Sequence, residues 1–155
     1  MAMLELRCSM VSIVVIKGEG VNTQVLLLQR ASEYLRGVWS YVAGHIESNE
    51  TGWQTAIREL HEETGLAAQM LFATSFCEQF YDAGNDCIMV VPAFVARVDD
   101  DCVVQLNDEH SALRWLSFEF AMCELPFGSQ RELFAYVQRE FIDRPPSEHL
   151  RIALH

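Results

Sequence analysis

The sequence of 155 residues predicts an α/β domain in which helices cover a mixed central sheet, and three observations carry that prediction. Short runs rich in Val, Ile and Leu at 8–16 and 24–29 have the length and branching of buried strands. A stretch at 51–64 and another at 129–142 repeat their apolar residues at helical spacing, and strands flank the first of them. The strands are joined by short turns, which antiparallel pairing permits and a purely parallel sheet does not.

Each element has a local reason. The run 8–16 is punctuated by Gly18-Glu19-Gly20, 24–29 centres on Val25, Leu26, Leu27 and Leu28, and 39–42 reads as a short third strand. Thr51 and Gln54 stand at capping-box spacing, and Gly65 stands where a left-handed C-cap glycine belongs, so helix 51–64 is bounded at both ends. Residues 68–80 read as extended, 82–86 supply turn chemistry, and 87–98 returns as a strand. Pro92 cannot donate to a ladder and predicts an edge position or a bulge. Asp99, Asp100 and Asp101 read as a solvated hairpin loop without EF-hand spacing, and 113–116 as a short strand. Ser129 and Glu132 form a second capping-box pattern at the head of 129–142, where Leu133, Phe134, Val137 and Phe141 make a core stripe. Pro145-Pro146 is expected to end the regular structure. No repeat or linker composition interrupts the chain, so residues 1–155 are expected to form a single domain.

Composition narrows the partners. Half of the residues are hydrophobic, enough for a sizeable core, and 22 acidic residues against 11 basic ones give a net charge of -11. That field repels DNA and RNA, so no nucleic acid polymer is expected as a partner. Cys8, Cys77, Cys87, Cys102 and Cys123 are odd in number, widely spaced and free of any C-x-x-C, which argues against a disulfide framework or a zinc-thiolate site. They are expected to serve mostly as small buried hydrophobes in a reducing compartment. No signal-peptide pattern and no membrane-length apolar run occurs, so the expected location is cytoplasmic, away from any membrane.

The informative stretch is 44–66, GHIESNETGWQTAIRELHEETGL. At about 100° per residue, Glu59, Glu62 and Glu63 share one helix face with Thr55. Trp53, Ile57, Leu60 and Thr64 look the other way, with Ala56 at the border. Three like charges on one face oppose helix formation, and no lysine relieves them. Hard oxygen donors in that arrangement suit Mg²⁺ or Mn²⁺, and an acidic helix in an acidic protein is the plain alternative. His61-Glu62 begins a zinc-protease H-E-x-x-H, but Gly65 occupies the second histidine position; no phosphate-binding G-x-x-x-x-G-K-[ST] loop occurs. His45, His110, His149 and His155 are scattered and read as structural or exposed.

This stretch resembles the Nudix box, G-x5-E-x7-R-E-U-x-E-E-x-G-U with U aliphatic. Gly44, Glu50, Arg58, Glu59, Leu60, Glu62, Glu63, Gly65 and Leu66 fill the specified positions. One departure is Asn49, where glycine often precedes the first glutamate; asparagine also tolerates a left-handed backbone. The resemblance implies a Nudix-type α/β/α sandwich and a hydrolase that opens a nucleoside diphosphate linkage with the help of Mg²⁺ or Mn²⁺. It implies that Glu59, Glu62, Glu63 and the Gly44 carbonyl hold the cation, that Arg58 orients the carboxylates, that Glu50 assists, and that a carboxylate completes proton removal.

Glu109, on a loop before 113–116, looks like the extra catalytic glutamate of some Nudix enzymes, as general base or metal ligand; an exposed loop acid is the plain alternative. Arg30, at a strand end, and Arg36, in the following loop, are phosphate-binding candidates. Tyr81 with Phe80 is a stacking candidate, whereas Trp39 reads as core. The proline that ADP-ribose enzymes carry about sixteen residues after the box is absent. The run 115–132 resembles members grouped as dATP or dihydroneopterin triphosphate pyrophosphohydrolases. The expected substrate is therefore a small nucleotide-like molecule, a nucleoside or pterin triphosphate cut to a monophosphate and pyrophosphate. A dinucleoside polyphosphate or nucleotide-sugar hydrolase and a non-catalytic nucleotide-sensing module are the alternatives. Homodimers are common in the family, and a homodimer stays an open expectation.

Overall fold

The central strand explains the architecture. In the computed structural model, which describes residues 1–154, strand β2 (Met10–Lys17) is apolar along nearly its whole length because both its faces are covered. Val11, Ile13 and Val15 pack beneath helix α1 (Gly52–Thr64) with Ala56 and Leu60. Val14 and Ile16 face the other way, into a cluster with Phe118 of α2 (Phe118–Glu124) and with Leu133, Phe134 and Val137 of α3 (Gly128–Val137). The period-two alternation of one strand thus divides two cores, and the result is the expected α/β/α sandwich.

The sheet is mixed, as expected. β2 runs parallel to β7 (Cys87–Arg97) and antiparallel to both β3 (Gln24–Arg30) and β5 (Val42–His45). β3 pairs antiparallel with β4 (Trp39–Ser40) and with β8 (His110–Leu116). On the far side β7 pairs antiparallel with β6 (Met70–Asp82) and parallel with β1 (Glu5–Arg7). β9 (Arg151–Ile152) adds to β6.

Several local expectations are corrected. Pro92 meets the bulge half of its expectation: it stands opposite Cys77, where the β6 register shifts, and lies just before Ala93, where the pairing of β7 with β2 begins, so the strand is central and not an edge. The three aspartates at 99–101 do not close a hairpin, because the next strand, β8, joins β3 rather than β7. Asp100 instead accepts from the Gly18 N–H at 2.8 Å, tying two loops together. Helix α3 begins at Gly128 with Phe127 as its N-cap and no side-chain cap; Ser129 donates to Glu78 instead, at 3.2 Å, because a buried carboxylate competes for the hydroxyl. The helix then widens into a π-helical turn, Gln138–Ile142, with Phe141 buried as the core stripe requires. Regular structure resumes after Pro145-Pro146 with a 3-10 turn, Glu148–Leu150, and then β9. Among the cysteines only Cys87 is buried, Cys102 is intermediate, and Cys8, Cys77 and Cys123 are exposed. Among the described residues no helix is long and apolar enough to cross a membrane.

Candidate active site

The loop between β5 and α1 is built to deliver the helix at a set angle. Asn49 adopts φ 69°, the left-handed turn that asparagine tolerates. Thr51 accepts from the Gln54 N–H and Gln54 accepts from the Thr51 N–H, so the capping box forms. Gly65 closes the helix at φ 73°, its N–H donating to His61 O.

Within this frame Arg58 is the hub. Its Nε and Nη2 donate to the two oxygens of Glu50 at 3.1 and 2.7 Å. Nη1 donates to Glu59 at 2.9 Å and to Glu62 at 3.1 Å, and Nη2 also reaches the carbonyl of His45 at 2.9 Å. Glu50 further accepts from the Thr55 hydroxyl and the Glu47 N–H, both at 2.8 Å. These donors, the Arg58 guanidinium first, pull the Glu50 carboxyl down to about 2.

The three box carboxylates do not share one environment, contrary to the simple helix-face picture. Glu62 is half exposed on Arg58. Glu59 lies against Gly44 so closely that a Cβ there would overlap its carboxylate carbon. Glu63 is 2% exposed and belongs to the buried stripe with Ala56, Leu60 and Thr64, while Trp53 and Ile57, assigned by spacing to the apolar side, are partly open to solvent. Burial first, then Glu59 and Glu109, push the Glu63 carboxyl up to about 9. Burial also raises Glu59. Glu63 Oε2 meets no donor.

What Glu63 meets is a pair of residues from β8 and its approach. His110 pairs with Arg30 across the β3–β8 ladder, and the Ala31 N–H donates to Glu109 O at 2.8 Å. This register brings His110 Nε2 to 3.6 Å from Glu63 Oε1, and Glu63, Glu109 and His110 each place a ligand atom within 4.8 Å of the others. Burial, with Arg30 nearby, lowers His110 to about 4, so it is neutral. His110 is a candidate site residue that sequence spacing did not single out. The signal available was its position directly after Glu109.

Of the other candidates, Arg30 adjoins this centre through its pairing with His110. Arg30 donates to Tyr34 O and Ser32 Oγ, both at 2.9 Å. Arg36 is exposed in the following loop. Tyr81 is 53% exposed in the β6–β7 hairpin, its hydroxyl donating to Asp86 at 2.7 Å. Trp39, read as core, is half-buried with the Arg114 guanidinium over its ring at 4.5 Å. His155 lies outside the described residues.

Comparison with known proteins matches residues 7–144 to the NUDIX domain family. The chain is 35% identical over 125 residues to an octanoyltransferase of Myxococcus xanthus, covering 79% of this chain but 34% of that protein, so it spans about a third of that relative's length. It is 33% identical over 111 residues to the asymmetrical bis(5'-nucleosyl)-tetraphosphatase of Rattus norvegicus, covering 70% of this chain and 74% of the relative. The structure of the E. coli dihydroneopterin triphosphate pyrophosphohydrolase superposes with a TM-score of 0.68 at 23% identity, over 86% of this chain and 97% of that one, a likeness of fold.

Proposed function

The chain belongs to the NUDIX domain family, and from that premise we propose that it is a divalent-metal-dependent pyrophosphohydrolase acting on a small nucleotide-like substrate. The observation that supports this most is the crowding of Glu63 with Glu59 and Glu109. Burying carboxylates against one another costs folding free energy unless a cation joins them. The donors suit Mg²⁺ or Mn²⁺. They are oxygens, Gly44 leaves the space that Glu59 occupies, and Glu63 Oε2 is buried with no donor. When bound, such a cation neutralises phosphate charge and activates a water for attack on phosphorus.

The residues then divide the work. Arg58, anchored by Glu50 and the His45 carbonyl, holds Glu59 and Glu62 in fixed directions. Glu59, Glu62, Glu63 and the Gly44 carbonyl form the ligand set, and Glu62 and Glu63 are the carboxylates on which turnover depends. Glu109, exposed beside buried Glu63, serves as general base or as a further metal ligand. Arg30 and Arg36 meet phosphate, and Tyr81 offers a stacking face at the rim.

Two substrate readings have comparable support. The fold likeness to the dihydroneopterin triphosphate enzyme and the run 115–132 favour a nucleoside or pterin triphosphate, cut to a monophosphate and pyrophosphate. The identity to the tetraphosphatase favours a dinucleoside polyphosphate. A panel of both classes with Mg²⁺ or Mn²⁺ and product analysis separates them: pyrophosphate release marks the first, and unequal nucleotide products mark the second. Tight nucleotide binding without turnover in the metal-supplemented protein refutes the hydrolase and leaves a sensing module.

A further inference from the structure

We propose that Glu63, Glu109 and His110 form a mixed oxygen–nitrogen cation site, in which the imidazole of His110 ligates a first-row transition divalent ion. This rests on the metal-hydrolase reading and adds a ligand that the box pattern does not contain. Three observations carry it. The first is convergence: one ligand atom from each of the three side chains lies within 4.8 Å of the others. The second is the spacing of the two buried members. His110 Nε2 and Glu63 Oε1 are 3.6 Å apart, too long for a hydrogen bond. With metal–ligand bonds of about 2.1 Å, two ligands on one ion stand about 3.0 Å apart at right angles and about 4.2 Å apart across it, so 3.6 Å leaves room for an ion between them. The third is the lack of partners. Glu63 is 2% exposed with Oε2 meeting no donor, and His110 is 6% exposed with Nδ1 unpartnered. Native proteins rarely leave a buried polar atom in this state, and on Glu63 it is the second oxygen of the carboxylate whose Oε1 faces His110 Nε2.

The site adjoins the carboxylates held by Arg58 through Glu59, but its own members are held differently. Glu59 and Glu62 both accept from Arg58 Nη1, whereas Glu63, Glu109 and His110 have no hydrogen bond to it. Glu109 is exposed, which gives an ion a way in and lets that side chain adjust its reach. The geometry is held from both ends: α1 fixes Glu63, and the His110–Arg30 pairing at the start of β8 fixes the imidazole. Two carboxylates and one imidazole favour Mn²⁺, Co²⁺ or Zn²⁺ over Mg²⁺, which takes oxygen ligands and keeps its waters.

Mn²⁺ itself is the probe. The full chain is loaded with Mn²⁺, the bound ion is counted from the loss of free-ion signal, and the electron spin echo is searched for nitrogen modulation. The expected result is nitrogen coupling in the native protein, its loss in His110→Gln, and Mn²⁺ affinity about tenfold weaker or more in that variant. Should His110→Gln fail to fold by circular dichroism, Glu109→Gln, at an exposed position, is expected to weaken Mn²⁺ binding by a similar factor. Bound Mn²⁺ without nitrogen coupling in the native protein overturns the inference and leaves the metal-hydrolase reading standing. Coupling that persists in His110→Gln assigns the nitrogen elsewhere and also overturns it. Absence of Mn²⁺ binding overturns both.

Discussion

Raising the pH of the metal-free protein should destabilise it, and the buried Glu63 carboxyl should account for most of the effect. Glu63 is ordinarily expected to titrate near 4.5 but is pushed up to about 9, chiefly by burial. The folded state therefore holds a proton that the unfolded chain has released. The stability this contributes is complete below 4.5 and is lost as pH rises towards 9. His110 acts in the opposite sense over a lower window. Its value falls from 6.5 to about 4, so its contribution grows with pH up to 6.5 and then stops. The two slopes oppose one another between 4.5 and 6.5, above 6.5 the Glu63 slope is unopposed by His110, and Glu59, which burial also raises, acts in the same sense as Glu63. One proton is worth about 1.4 kcal/mol per pH unit, so going from about pH 7 to about pH 8.5 removes about 2 kcal/mol. For a domain of this size that lowers Tm by about 4–8 °C. Calorimetric unfolding of chelator-treated protein across that range measures the slope. Glu63→Gln, whose amide imitates the protonated carboxyl, should flatten it, and excess Mn²⁺ should do the same in the native protein by taking the proton's place. A native Tm that stays level, or a slope that persists in Glu63→Gln, would refute the assignment of the proton to this cluster.

Gly44→Ala should drive the Glu59 carboxylate off its seat and weaken Mn²⁺ binding by about 10–100-fold, as read by titration; unchanged affinity would remove the cradle from the argument. Arg58→Lys keeps the charge, yet one ammonium cannot span Glu50, Glu59, Glu62 and the His45 carbonyl together. It should cost about 1–3 kcal/mol in thermal unfolding and lower kcat more than it raises KM, and a native-like Tm would contradict the hub role. Thr51→Ala removes half of the capping box, for a loss of about 1 kcal/mol with Mn²⁺ affinity preserved, which separates helix stability from site geometry.

Residues close in sequence were placed well by spacing alone. Helical rotation converts separation along the chain into direction, so Arg58 and its carboxylates could be set on one helix before any fold was known. The capping box, the Gly65 cap and the left-handed turn at Asn49 were legible for the same reason: each is decided by a handful of neighbouring backbone angles. The apolar runs of β2 and β3 announced burial on both faces and with it the layered α/β class. What periodicity left undecided was competition between distant groups. Ser129 looked like a helix cap until Glu78 claimed its hydroxyl, and the aspartates at 99–101 looked like a hairpin until β8 paired with β3.

The box itself shows the same division. By its own residues the sequence determined that a cluster of carboxylates would stand on one capped helix beside an arginine. Only the tertiary structure decided that the three glutamates would differ, because the sheet beneath α1 buries Glu63, Gly44 receives Glu59, and Glu62 is left near solvent. It also decided that His110 would face Glu63. That meeting depends on the register of β8 on β3, a long-range pairing that no local spacing encodes.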